Sequence, residues 1–167
     1  MHVADYKKFD LLNGIGMRCS LFVSGCPHHC KGCFNAPAWN YNYGSVYTKE
    51  LEDQIIQDLN APDIRMSGLS LLGGEPFANV EGLLPLLDRV KRECKDKDVW
   101  CWTGYTFDEI MACETKRSMI GYIDVLIDGK FVLEERDLTL RFRGSRNQRI
   151  LDVQKSLAVG EAMVWEG

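Results

Sequence analysis

Three cysteines fall within eight residues, in the segment Gly25-Cys26-Pro27-His28-His29-Cys30-Lys31-Gly32-Cys33-Phe34. The spacing is C-x3-C-x2-C, and a tight loop of that length can turn all three sulfurs towards one point. A 4Fe–4S cube has four irons and usually takes four thiolates, so three local cysteines would leave one iron open. An iron with an open position can take up a substrate, as catalytic metal sites do and closed structural sites do not. The same residues could instead hold structural zinc, with Cys19, His28 or His29 as the fourth ligand. Zinc sites usually set one C-x2-C pair against a distant second pair. Here the remaining cysteines, Cys94, Cys101 and Cys113, are scattered and read as small core or surface residues.

The chain has seven cysteines in all. An odd number with three crowded together argues against a disulfide framework and for a metal site in a reducing compartment. The start, MHVADYKKFD, lacks the apolar run and small-residue cleavage site of a signal peptide. No stretch is long and apolar enough to span a bilayer, so the expected location is the cytoplasm. With a net charge of -4 and a pI near 5.4, no overall field favours nucleic acid or an anionic membrane. Arg141, Arg143, Arg146 and Arg149 form one local basic patch, which reads as a solvated face.

The elements that must position the cysteine loop can be read from periodicity. Residues 19–24 (CSLFVS) form an apolar strand, and the loop over 25–35 leaves its end. Thr48 can cap a helix over 49–60, with Leu51, Ile55, Ile56 and Leu59 on one face. A buried strand over 68–72 stops at Gly73-Gly74. Asn79 can cap a second helix with Val80, Leu83, Leu84, Leu87 and Val90 inward. A third strand over 99–102 ends at Thr103-Gly104, a helix is expected over 106–113, and a fourth strand over 123–127 ends at Asp128-Gly129. Continuous apolar strands alternating with helices predict parallel βαβ units. Four are too few for a closed eight-stranded barrel, so the expected fold is α/β, a small open or partial barrel with a mostly parallel sheet. Ligands of such sheets sit beyond the carboxyl ends of the strands, which would bring the cysteine loop, Gly73-Gly74-Glu75, Thr103-Gly104 and Asp128-Gly129-Lys130 to one face. Trp100 and Trp102 share one side of their strand and are expected to pack between sheet and helix. The chain reads as a single domain over 1–167, with about 151–167 as a C-terminal extension to which no role is assigned.

C-x3-C-x2-C resembles the cluster motif of the radical S-adenosylmethionine superfamily, and Gly73-Gly74-Glu75-Pro76 after an apolar strand resembles its second motif. Further segments are similar to the branch that activates glycyl-radical enzymes, and within it to activators of anaerobic ribonucleotide reductase. They are Asn13-Gly14-Ile15-Gly16-Met17-Arg18, Phe34-Asn35 with Trp39, Trp100-x-Trp102-Thr103-Gly104-Tyr105, Asp128-Gly129-Lys130-Phe131 and Arg143-Gly144-Ser145-x-Asn147-Gln148. The resemblance covers about residues 5–150. The superfamily often has an aromatic residue just before the third cysteine, where this chain has Gly32. That leaves Phe34 as the aromatic available to adenine.

The resemblance implies a partial barrel of the radical S-adenosylmethionine type. It implies that Cys26, Cys30 and Cys33 hold three irons of a 4Fe–4S cluster, and that the methionyl amino and carboxylate groups of S-adenosylmethionine bind the fourth. Gly73 and Gly74 would admit that ligand close to the backbone, with Glu75 helping to orient its ammonium. Gly32, Cys33 and Phe34 would line the adenine side, and Thr103, Asp128 and Lys130 would lie near the cofactor. The implied activity is reductive cleavage of S-adenosylmethionine and hydrogen abstraction from a glycine of the reductase large subunit, forming a glycyl radical. Implied partners are that subunit, a flavodoxin-like electron donor and a second copy of the chain in a homodimer, with neither nucleic acid nor membrane. The alternatives are an activase for another glycyl-radical enzyme and a zinc-stabilised module without catalysis.

Overall fold

The computed structural model describes every residue from Met1 to Gly167. Seven strands form one sheet: β1 (His2–Asp10), β2 (Arg18–Val23), β3 (Ser45–Val46), β4 (Gly68–Gly73), β5 (Asp98–Trp102), β6 (Val125–Asp128) and β7 (Arg149–Asp152). Their spatial order is β3-β1-β2-β4-β5-β6-β7. The four central strands, β2, β4, β5 and β6, are parallel. They are the four expected from their apolar runs. The flanking strands β1, β3 and β7 join antiparallel. β1 was not expected from the sequence, because its side chains run half-polar and its pairing to β2 slips twice at irregularities.

Five helices complete the fold: α1 (Lys49–Leu59), α2 (Val80–Glu93), α3 (Phe107–Met111), α4 (Glu114–Ile120) and α5 (Val153–Val159). The hydroxyl of Thr48 accepts from Leu51 N at 3.2 Å and caps α1 as expected. Thr106 and Glu109 form a reciprocal capping box at α3. Asn79 caps nothing through its side chain. Its amide instead donates to the carbonyls of Ser24 and Glu75, tying two strand-end loops together. α2 buries Val80, Leu83, Leu86, Leu87 and Val90, whereas Leu84 is only partly covered.

Each crossover in the β2-α1-β4-α2-β5-α3-α4-β6 run steps one strand further in the same direction, so the right-handed rule puts the helices on one face. The main core lies there. It joins Cys19, Leu21 and Val23 of β2, Leu69 and Leu71 of β4, and Val99 and Cys101 of β5 to the inner faces of α1 and α2. The alternate strand residues look the other way. Trp100 and Trp102 are among them, which corrects the expectation that they pack under a helix. They form a second apolar cluster with Val125, Ile127, Phe142, Ile150 and Trp165. Ile150 and Trp165 bring the end of the chain into this cluster. β7 pairs with β6, α5 adds Val153 to the main core, and the tail returns to β7 through Trp165 N to Ile150 O at 2.9 Å.

Candidate active site

The parallel register brings the strand-end loops together. Val23 pairs with Gly73, after which Gly74 N donates to Val23 O at 2.7 Å and Glu75 N to Gly25 O at 2.8 Å. The cysteine loop is thus stitched to the end of β4. The reason for the two glycines follows from this contact. Gly73 has φ +106, and a Cβ there would lie 2.6 Å from the backbone of Val23; at Gly74 it would lie 2.6 Å from Gly25 O. The space a side chain would need is held by the protein's own backbone.

These loops surround a cleft of about 740 Å³, lined among others by Cys26, Cys30, Cys33, Gly74, Thr103 and Phe142. Gly32, Phe34, Gly73 and Glu75 also border it. Cys26 is buried, and Cys30 and Cys33 are half-buried; all three thiols are free. Burial pushes the Cys26 thiol up, opposed by the backbone N–H groups of His28 and His29. Burial does the same to Cys30, opposed by the N–H of Phe131 and the charge of Lys130. No three His, Cys, Asp or Glu side chains stand together in metal-ligating geometry. The donor set itself, three reduced sulfurs on one loop facing one cleft, fits a cluster that keeps one iron open. Phe34 is 95% exposed at the mouth of the cleft.

Glu75 is 1% exposed and fully engaged. Its Oε1 accepts from Phe77 N at 2.9 Å and Thr103 Oγ1 at 2.7 Å. Its Oε2 accepts from Gly104 N and pairs with His28 Nε2, both at 2.8 Å. His28 reads in the sequence as a loop residue; nothing local marks it, because its partner lies 47 positions away.

Two of the expected site residues stand apart from the cleft. Asp128 is buried and held by Phe107 N at 2.8 Å and by a two-pronged pair with Arg149 at 3.0 and 2.6 Å. The pair holds the Arg149 guanidinium above its ordinary pKa. Lys130 is exposed and outside the cleft lining, although its charge reaches Cys30. In the polar motif over 143–148, Arg143, Gly144 and Gln148 border the cleft, and several of the side chains also brace the neighbouring loops. Gln148 Nε2 donates to Gly129 O, Asn147 Nδ2 to Lys130 O, and Ser145 Oγ accepts from Val132 N. Arg136 lines the cleft without an intrachain hydrogen bond or ion pair from its guanidinium, and the sequence did not single it out.

The cleft carries a three-cysteine loop at the carboxyl ends of parallel strands, and residues 12–151 match the family model described as a 4Fe-4S single cluster domain. The anaerobic ribonucleoside-triphosphate reductase-activating protein of Haemophilus influenzae is 51% identical over 152 residues, covering 90% of this chain and 97% of that relative. The protein of the same name from Escherichia coli is 47% identical over 150 residues, covering 89% and 96%. That of Enterobacteria phage T4 is 40% identical over 145 residues, covering 84% and 87%. The chain belongs to the family of anaerobic ribonucleoside-triphosphate reductase-activating proteins.

Proposed function

We propose that the chain activates the large subunit of anaerobic ribonucleotide reductase by reductive cleavage of S-adenosylmethionine, with the sheet serving as a partial barrel of the radical S-adenosylmethionine type. The supporting observation is the meeting of the C-x3-C-x2-C loop with the Gly73-Gly74-Glu75 turn at one cleft, in a chain of this family. Cys26, Cys30 and Cys33 would hold three irons of a 4Fe–4S cluster. When bound, the cluster would supply the electron that splits the sulfonium into methionine and a 5′-deoxyadenosyl radical, which takes the α-hydrogen of a glycine.

The chain's own residues position and exclude. The backbone at Gly73 and Gly74 forms the wall beside the cysteine loop, against which the methionyl end would rest. Gly32, Cys33 and Phe34 would border the adenine, and Phe34, exposed at the mouth, would close over it. Thr103 holds the floor through Glu75. Asp128 acts at one remove, since Arg149 and Phe107 N occupy its carboxylate, while Lys130 brings positive charge to Cys30. The open mouth would admit the partner's glycine segment. A flavodoxin-like protein would supply the electron, a homodimer is one assembly open to the chain, and the cytoplasm is the proposed location. No helix of the chain is long and apolar enough to cross a membrane.

Anaerobic reconstitution tests the reading. Iron and sulfide should each approach four per chain for one cubic cluster, reduced protein should release 5′-deoxyadenosine from S-adenosylmethionine, and mixing with the reductase should give a glycyl-radical doublet in electron paramagnetic resonance. One zinc per chain without visible absorbance would refute it.

A further inference from the structure

We infer that His28 is a positioning residue whose ring clasps the cysteine loop to the buried carboxylate of Glu75, so that the acidic residue of Gly73-Gly74-Glu75-Pro76 anchors that loop from within instead of meeting the cofactor's ammonium. The inference deepens the proposed function and rests on its reading of Cys26, Cys30 and Cys33 as cluster ligands.

The first argument is saturation. An ionised carboxylate offers about four lone-pair sites, and Glu75 already faces Phe77 N, Thr103 Oγ1, Gly104 N and His28 Nε2, at 2.7 to 2.9 Å. No acceptor site is left for a ligand ammonium. A carboxylate only accepts, so His28 Nε2 carries the hydrogen. Three of the four donors come from the loops after β4 and β5. His28 alone comes from the cysteine loop, so it alone transmits the anchor to the sulfurs.

The second argument is that a seat is built for the ring. The His28 side chain is 5% exposed. It lies edge-on to Tyr105, with centroids 4.5 Å apart. A Cβ at Gly104 would overlap it, so the absence of a side chain there makes its room. The next residue, His29, has φ 49. This left-handed step turns its ring the other way, to stack on Trp39 at 4.6 Å and 8°. Two consecutive rings thus pin the stretch between the first two cysteines, one against Tyr105 and one against Trp39.

The test uses the full chain, prepared anaerobically, with two readouts besides activity: amide hydrogen exchange over residues 26–33, and iron retained under a chelator. His28→Ala should speed exchange in that loop by about tenfold or more, as expected for a lost hydrogen bond to a charged group, with α2 and β5 unchanged. Iron loss should accelerate by a similar factor, and the electron paramagnetic resonance spectrum of the reduced cluster should broaden. His28→Gln, whose side-chain amide can donate to the same oxygen, should recover most of both. Gly104→Ala, whose Cβ would crowd the Cδ2 and Nε2 edge of the ring, should loosen the same loop. Unchanged loop exchange in His28→Ala, or no recovery in His28→Gln, would overturn the clasp. So would a Glu75→Gln variant with a tight loop and weakened S-adenosylmethionine binding, since the carboxylate would then serve the cofactor. The exchange measurement needs no metal. A chain that takes up no iron yet shows the tenfold loosening would keep the clasp and refute the cluster reading.

Discussion

Trp165, two residues from the end of the chain, sits edge-on against Trp100 of the central sheet, with ring centroids 5.1 Å apart at 75°. Phe142 also meets Trp100 edge-on, at 5.0 Å and 76°. The helix-free face of the sheet is therefore closed by residues from the last third of the chain. Phe142 and Trp102 belong both to this cluster and to the cleft wall. Trp165→Ala should cost about 2 kcal/mol in urea unfolding, below the range for a fully enclosed tryptophan because Trp165 is only partly buried. The Trp102 Nε1 bond to Phe142 O, at 2.6 Å, should then weaken, seen as faster exchange of that indole hydrogen.

Arg18 is a second buried support of the same face. Its side chain is 0% exposed, pairs with Asp98 at 2.7 Å, and donates to Ser70 Oγ at 2.7 Å and Leu69 O at 3.0 Å. Asp98→Ala would leave a cation without its counter-charge. Removing one partner of a fully buried pair costs about 3–5 kcal/mol; Asp98 is 44% exposed, so a loss of about 2 kcal/mol is expected by chemical denaturation. Wild-type stability in this variant would show that the pair contributes nothing.

Gly73→Ala tests the backbone stitch between β2 and β4. The new Cβ would meet Val23 N and O at 2.6 Å in a left-handed conformation. A loss of more than about 2 kcal/mol is expected, with iron retention falling alongside it, because the cysteine loop leaves from the same strand end.

Cys30→Ala should behave in the opposite way. The residue is half-buried in a loop and outside both apolar clusters, so circular dichroism and the unfolding midpoint should stay near wild type. Cleavage of S-adenosylmethionine should be abolished, and retained 5′-deoxyadenosine release would contradict the ligand assignment.

Arg136 is exposed at the cleft with no partner for its guanidinium. Arg136→Ala should shift stability by less than about 0.5 kcal/mol. If it meets an anionic group of cofactor or partner, the S-adenosylmethionine concentration giving half-maximal cleavage, or the glycyl-radical yield, should change several-fold. No change in either would place it outside the reaction.

The four parallel strands, the capped helix α1 and the position of the cysteine loop were legible in the sequence. Each rests on local information: an apolar run of one strand's length, a Thr three residues before an amide it can cap, thiols spaced along one turn. Which side of β5 faces the helices was not legible. Alternation fixes that Trp100 and Trp102 look the same way, but not which way, and packing against Phe142 and Trp165 decided it. The antiparallel edges escaped for a related reason. β1 interrupts its apolar residues with charged ones and β7 is only four residues long, and both become strands because β2 and β6 offer them unpaired backbone.

The sequence by itself determined the donor set, three cysteines on one loop, and the order of strands that places the loop at the carboxyl edge of the sheet. Only the tertiary structure decided how the loop is held. The bond of His28 to Glu75 and the burial of Asp128 by Arg149 join residues 47 and 21 positions apart. Such pairs exist because parallel register sets Val23 beside Gly73 and antiparallel register sets Asp128 beside Arg149. Register is a property of paired strands, and no single strand encodes it.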